Sequence, residues 1–246
     1  MSEKRNSTSI SGAGSIGGGT YSRVSISGSG RVTGDLIAEE LRISGSGRVQ
    51  GQTEVTQITA SGSARFEEGV TTEEMRVSGS ARVEGPLVAK ELKTSGSLRV
   101  KGSVTGEYVK TSGQIHVGGD VEADIFRTSG GFDIEGLLSA DRIEIHLGGR
   151  CRAREIGGET IDIRRGGWKE KGLIIDGLVK LFFGGGIAEL KTEQIEGDDI
   201  LLEDTTAEIV RGKRIEIGPG CRIGVVEYEE SLKVHPDAEV EKQNKV

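Results

Sequence analysis

Large aromatic side chains are scarce in this chain, which has one tryptophan, three tyrosines and five phenylalanines among 246 residues. A core built on stacked rings is therefore excluded, and any buried interior must rest on aliphatic side chains. There are three prolines and two cysteines, too few for a proline-rich linker or a disulfide framework. The cysteines, Cys151 and Cys221, stand in strand-like contexts, "GGRCRAR" and "GPGCRIG", and read as reduced, partly buried thiols rather than a disulfide or metal pair. No run is long and apolar enough to cross a bilayer. The opening "MSEKRNSTS" has basic residues without an apolar stretch behind them, so no secretory signal is expected and a cytoplasmic location is. The formal net charge is −7, from 32 basic and 39 acidic residues spread along the chain. That balance argues against a general nucleic-acid binder.

What the chain has instead is glycine, 40 residues of it, and a recurring phrase. "VSISGSGRVTG" (24–34) returns as "LRISGSGRVQG" (41–51) and "MRVSGSARVEG" (75–85). Ser-Gly pairs fall at residues 11–12, 27–28, 44–45 and onward to 129–130, every step after the first being seventeen residues. Low-complexity chains do not hold apolar residues at fixed offsets, whereas a solenoid must, because each turn stacks on the one before.

Aligning the phrases gives apolar columns. One runs from Val24 through Leu41 and Ile58 to Phe126; others start at Ile26, Val32 and Leu36. The column from Ile26 ends in Thr94, Thr111 and Thr128, read as inward. Apolar residues occupy every second position with Ser, Arg, Glu, Thr or Gln between, the period of a strand with one buried face. Ser-Gly pairs and a second glycine column (Gly34, Gly51, Gly85) separate the short strands, and glycine's access to positive φ makes these corners. Glu68 interrupts the second column and Gly69 follows it, which suggests a corner displaced by one residue. The expected fold is all-β, a right-handed parallel β-helix with ~17-residue turns.

The period blurs after residue 150, is lost in "GGWKEKGLIIDGLVKLFFGGGIAEL" (166–190), and returns near the end, where Ile217 aligns with Val234, Cys221 with Ala238 and Ile223 with Val240. The expected organisation is a flexible tail (1–20), a main solenoid (21–165), an apolar insertion (166–194), a short C-terminal solenoid (195–241) and a tail (242–246). Whether the short solenoid continues the first stack or folds against it is open at this point.

Chemistry is thinly represented. His116, His146 and His235 have no Cys, Asp or Glu at ligand spacing, so no metal and no acid–base role is expected. Neither "GGGT" nor "FFGGGI" leads to a phosphate-loop Gly-Lys-Ser/Thr. No catalytic residue and no cofactor is expected.

Three surfaces remain. Arg31, Arg48, Arg65, Arg82 and Arg99 form an outward basic ladder, which could grip an anionic polymer or be neutralised by the columns of Glu39, Glu73 and Glu107 and of Glu40, Glu74 and Glu91. Trp168, Leu181, Phe182 and Phe183 concentrate large apolar side chains, either as a flap over the core or as a partner patch. Third, each end of a solenoid exposes unpaired strands and a slice of core. Val24 and Ile26 at one end, and Leu232, Val234 and Val240 at the other, are the candidate polymerisation ends.

Stacked "SGSGRVxG" turns, glycine-rich corners and no active site resemble the bactofilins, bacterial polymer-forming cytoskeletal proteins. The resemblance covers residues 24–163 and a second patch, "IEIGPGCRIGVVEYEESLKVHPDAEVE". It implies nucleotide-independent homopolymers acting as scaffolds for cell shape, envelope or motility structures, with related bactofilins and envelope or motility proteins as partners. "MSEKRNSTS" lacks the short apolar motif by which some bactofilins reach the membrane, so membrane contact is expected through partners. The alternative is a non-polymerising solenoid module that binds a protein or glycan.

Overall fold

The computed structural model describes residues 6–166 and 188–246. Among these residues nineteen strands, from β1 (Asn6–Ile10) to β19 (Glu239–Lys245), join in one continuous sheet in which every pairing is parallel. The chain is the expected all-β parallel β-helix. A single coil shows how the sequence builds it. In β4 (Ser46–Val49) side chains alternate out and in; β5 (Thr53–Ala60) does the same until Thr56 and Gln57, which both face outward between buried Val55 and Ile58. Two successive outward residues bend the strand, so the coil has three sides. Arg48 then stacks on Arg65 and Ile58 on Met75, each seventeen residues on, at roughly the 4.8 Å of paired strands.

The core is one unbroken column of mainly aliphatic side chains from Ile10 to Val226, with Phe66, Phe126 and Phe132 among its largest members. The four apolar columns face inward as expected, the threonines of the second included. A fifth inward column, beginning Gly30–Gly47–Ala64–Ala81–Leu98, escaped the sequence reading because its first members are too small to register as apolar.

The glycine corners are real, but for a different reason than expected. Among the described glycines only Gly19, Gly34 and Gly220 have positive φ. The Ser-Gly corners need glycine because the coils touch there: a Cβ on Gly45 would stand 2.1 Å from the Gly28 carbonyl oxygen. At Glu68 no corner is displaced, since Ser63 pairs with Ser80 and Val70 with Leu87 at the ordinary seventeen. Glu68 takes the glycine's place and accepts a hydrogen bond from the Gln52 amide at 2.9 Å.

The domain boundaries also move. The stretch read as a flexible tail holds β1 and the start of β2 (Ala13–Ile26), because Ile10 and Ile16 supply the inward residues of one more coil. After β15 (Arg150–Arg165), β16 (Glu189–Leu202) pairs directly with it, Arg150 to Glu189 and Cys151 to Leu190. The C-terminal coils therefore continue the main stack, and fully buried Leu190 belongs to the core rather than to the insertion. The last strand reaches Lys245, through the stretch read as a tail.

Candidate functional surfaces

Among the described residues, the two ends of the stack are the places where strands lack a neighbour. At the N-terminal end β1 pairs, among the described residues, only with Tyr21–Ile26, and Ala13–Gly17 only with Ser29–Thr33. At the C-terminal end β19 pairs, among the described residues, only with β18 (Arg222–Val234), whose last residues, Ser231 to Val234, pair only with Arg214 to Ile217. Leu232, Val234 and Val240 do lie on this open end; Val234 is 36% exposed, and the other two are partly buried. Val24 and Ile26 do not lie on the other. They are fully buried between Thr8 and Ile10 below and Leu41 and Ile43 above. The N-terminal slice is formed by Ile10 and Ile16, in the stretch expected to be a flexible tail.

The two edges differ in charge. Residues 6–20 contain no ionisable side chain, whereas residues 229–246 carry five carboxylates and three lysines. Charged edge strands discourage association and neutral ones do not.

The basic ladder stands as expected on one side of the coil, each arginine paired in register with the next. Its carboxylate partners are not the expected ones. Arg48 meets Glu67 at 3.5 Å, Arg65 and Arg82 both reach Glu84 at 2.7 and 2.8 Å, and Lys101 joins Glu84 at 2.6 Å. Arg31 and Arg99 have no ion-pair partner among the described residues. Glu40, Glu74 and Glu91 sit at another corner and pair there with Arg23 and Arg42, with Arg76 and with Lys93. Burial alone would raise the Glu40 carboxyl; the hydrogen bonds and charges of Arg42 and Arg23 overcome that and hold it below its ordinary value.

The remaining chemistry-bearing residues make no reactive centre among those described. His116 faces Asp133 at 3.2 Å and Glu135 at 3.7 Å, partners brought beside it by the seventeen-residue coil rather than by local spacing. No cluster of three metal-ligating side chains occurs among the described residues. Cys151 and Cys221 are buried and unpaired. Burial pushes both thiols up to about 11, so neither is a ready nucleophile at neutral pH. Trp168, Leu181, Phe182 and Phe183 lie outside the described residues.

No family model matches the chain, and no solved structure does. Two curated proteins of Bacillus subtilis are similar to parts of it. YhbF, described as uncharacterized, is 37% identical over 93 residues, covering 38% of this chain and 34% of that protein. YhbE, also described as uncharacterized, is 37% identical over 109 residues, 44% of this chain and 42% of that protein. The chain thus matches less than half the length of either relative.

Proposed function

We propose that this chain is a self-assembling scaffold protein that stacks end to end into filaments without nucleotide, in keeping with its resemblance to bactofilins. The supporting observation is the pair of open ends on an unbroken parallel stack, with Ile10 and Ile16 on one slice and Leu232, Val234 and Val240 on the other. Joining two ends satisfies unpaired backbone donors and acceptors and buries core that is otherwise wet, so the energy needs no hydrolysis. The uncharged N-terminal edge is the one that pairs at least electrostatic cost.

On this reading the chain is not an enzyme, and its partners are further copies of itself and structural proteins of the cell interior or envelope. Ile16→Arg places a charge on the N-terminal slice, where Ile16 is only partly buried against Val32, and leaves the residues of every internal coil unchanged. Loss of sedimentable polymer in that variant, with the β-sheet circular dichroism of the parent, is the expected result. A variant that polymerises like the parent would remove the N-terminal slice from the account. Ile26→Arg would not serve, because that side chain is internal and its replacement breaks the fold.

A further inference from the structure

We propose that two copies of this chain also associate side by side, the arginine ladder of one seated on a carboxylate ladder of the other. Glu107, Asp124, Asp141, Glu159 and Asp198 occupy successive coils of a single column, each displaced from the next by one register step. Like charges stacked at strand spacing are destabilising. The first four of these carboxylates have no hydrogen bond or ion pair among the described residues, and Asp198 meets Lys213 at 2.9 Å. Beside them the corner is floored by Gly106, Ala123, Ala140, Gly158 and Gly197, so little side-chain bulk shields them. At its C-terminal part the corner opens into a groove of ≈ 800 Å³ whose walls include Glu155, Glu159, Glu196 and Asp198 as well as Arg211 and Lys213.

The opposite side of the coil carries the complement. Over the five coils of the ladder, the outward residues are five serines, five arginines, and Thr33, Gln50, Glu67, Glu84 and Lys101. Six cations there face two carboxylates, in a chain whose overall charge is −7. Both ladders place one charge per coil over five coils, so both are about 19 Å long with the same spacing. Rung therefore meets rung along the whole contact. Surface pairs of this kind are individually weak, but five in register act together and oppose wrong alignments. The arginines lie on one side of the coil and the carboxylates at the corner across from it, so the contact is between unlike patches. Such contacts repeat and build an open sheet or bundle rather than a closed dimer. Parallel copies meet with a stagger of four coils, about 19 Å.

This inference goes beyond end-to-end stacking and does not depend on it, so the test is run with the parent and again with the Ile16→Arg end variant. A basic-face variant (Arg31→Glu, Arg48→Glu, Arg99→Glu) and an acidic-corner variant (Asp124→Lys, Asp141→Lys, Glu159→Lys) change only exposed side chains. Sedimentation velocity and small-angle scattering at low salt would show wider particles for the parent. Each variant alone should lose that association by about tenfold or more in concentration, and an equal mixture of the two should regain it. Raising salt, which cuts the screening length from about 10 Å at 0.1 M to about 3 Å at 1 M, should disperse both parent and mixture. Two outcomes would overturn the proposal: variants that associate like the parent, or a mixture that stays dispersed. Binding of inorganic polyphosphate to the parent but not to the basic-face variant, with width unaffected by the acidic-corner changes, would equally overturn it and assign the arginines to an anionic polymer.

Discussion

Ile43 and Gly47 share one interior space: a Cβ added to Gly47 would stand 2.9 Å from Ile43 Cδ1. Up the stack the pair becomes Ala60 with Ala64, then Thr94 with Leu98 and Thr128 with Phe132. Between them stands Val77 with Ala81. Over these coils, where the first column is isoleucine the second is glycine, and where the first is threonine the second is leucine, isoleucine or phenylalanine, which helps keep the coil's cross-section filled.

The pairing predicts a coupled cost. Gly47→Ala alone should destabilise by about 1–3 kcal/mol through overpacking. Combined with Ile43→Ala, which recreates the Ala60 and Ala64 arrangement, the cost should be less than the sum of the single changes. Urea midpoints of the four proteins form the double-mutant cycle; strict additivity would refute the shared space.

The same columns hold polar groups that gain nothing from burial. The Thr94 and Thr111 hydroxyls are buried and lack a hydrogen-bond partner, whereas that of Thr128 accepts from the Gly130 amide at 3.1 Å. Thr94→Val and Thr111→Val should each raise stability by about 1 kcal/mol. Thr128→Val should not, since it removes a made bond. A stability order with Thr128→Val highest would be inconsistent with this assignment.

Acid should weaken the stack. The carboxyls of Glu74, held down by the Gln57 amide and Arg76, and of Glu84, held down by Lys101 and Arg82, lie below the ordinary 4.5. A depressed folded pKa means stability that is present above 4.5 and is lost as pH falls through the lower, folded value. Thermal midpoints should therefore drop below pH 4.5, and Glu74→Gln should flatten that drop. Equal acid slopes in parent and variant would remove Glu74 from the explanation.

The thiols should stay silent in the native protein. With both raised to about 11 by burial, a thiol-specific disulfide reagent at neutral pH should label neither until denaturant is added, and then both. Prompt labelling of the native chain would show that the coils around Cys151 or Cys221 open readily.

The repeat was legible because seventeen-residue spacing, alternation and Ser-Gly corners each impose one pattern on the letters. The last coil was legible too, since Ile217 pairs with Val234 and Ile223 with Val240 at seventeen, but the coils before it were not, because coil length there varies: Phe132 pairs nineteen residues on with Cys151, Leu190 only fifteen on with Thr205. Corners absorb those differences while the inward columns stay aligned, so the stack persists where the period vanishes. The first coil was hidden by composition, since Gly14 and Thr8 stand where later coils have larger inward residues. The carboxylate ladder was obscured for another reason: its last rungs lie across coils of irregular length. Reading down columns of structure rather than at fixed spacing recovers it.

Electron microscopy of the purified chain in negative stain, without nucleotide or metal and across a range of concentration, tests the central claim most directly. The account predicts uniform filaments whose length grows with concentration and falls with Ile16→Arg. Particles of a single coil stack at every concentration and salt would contradict it and leave a solitary solenoid that binds a protein or glycan.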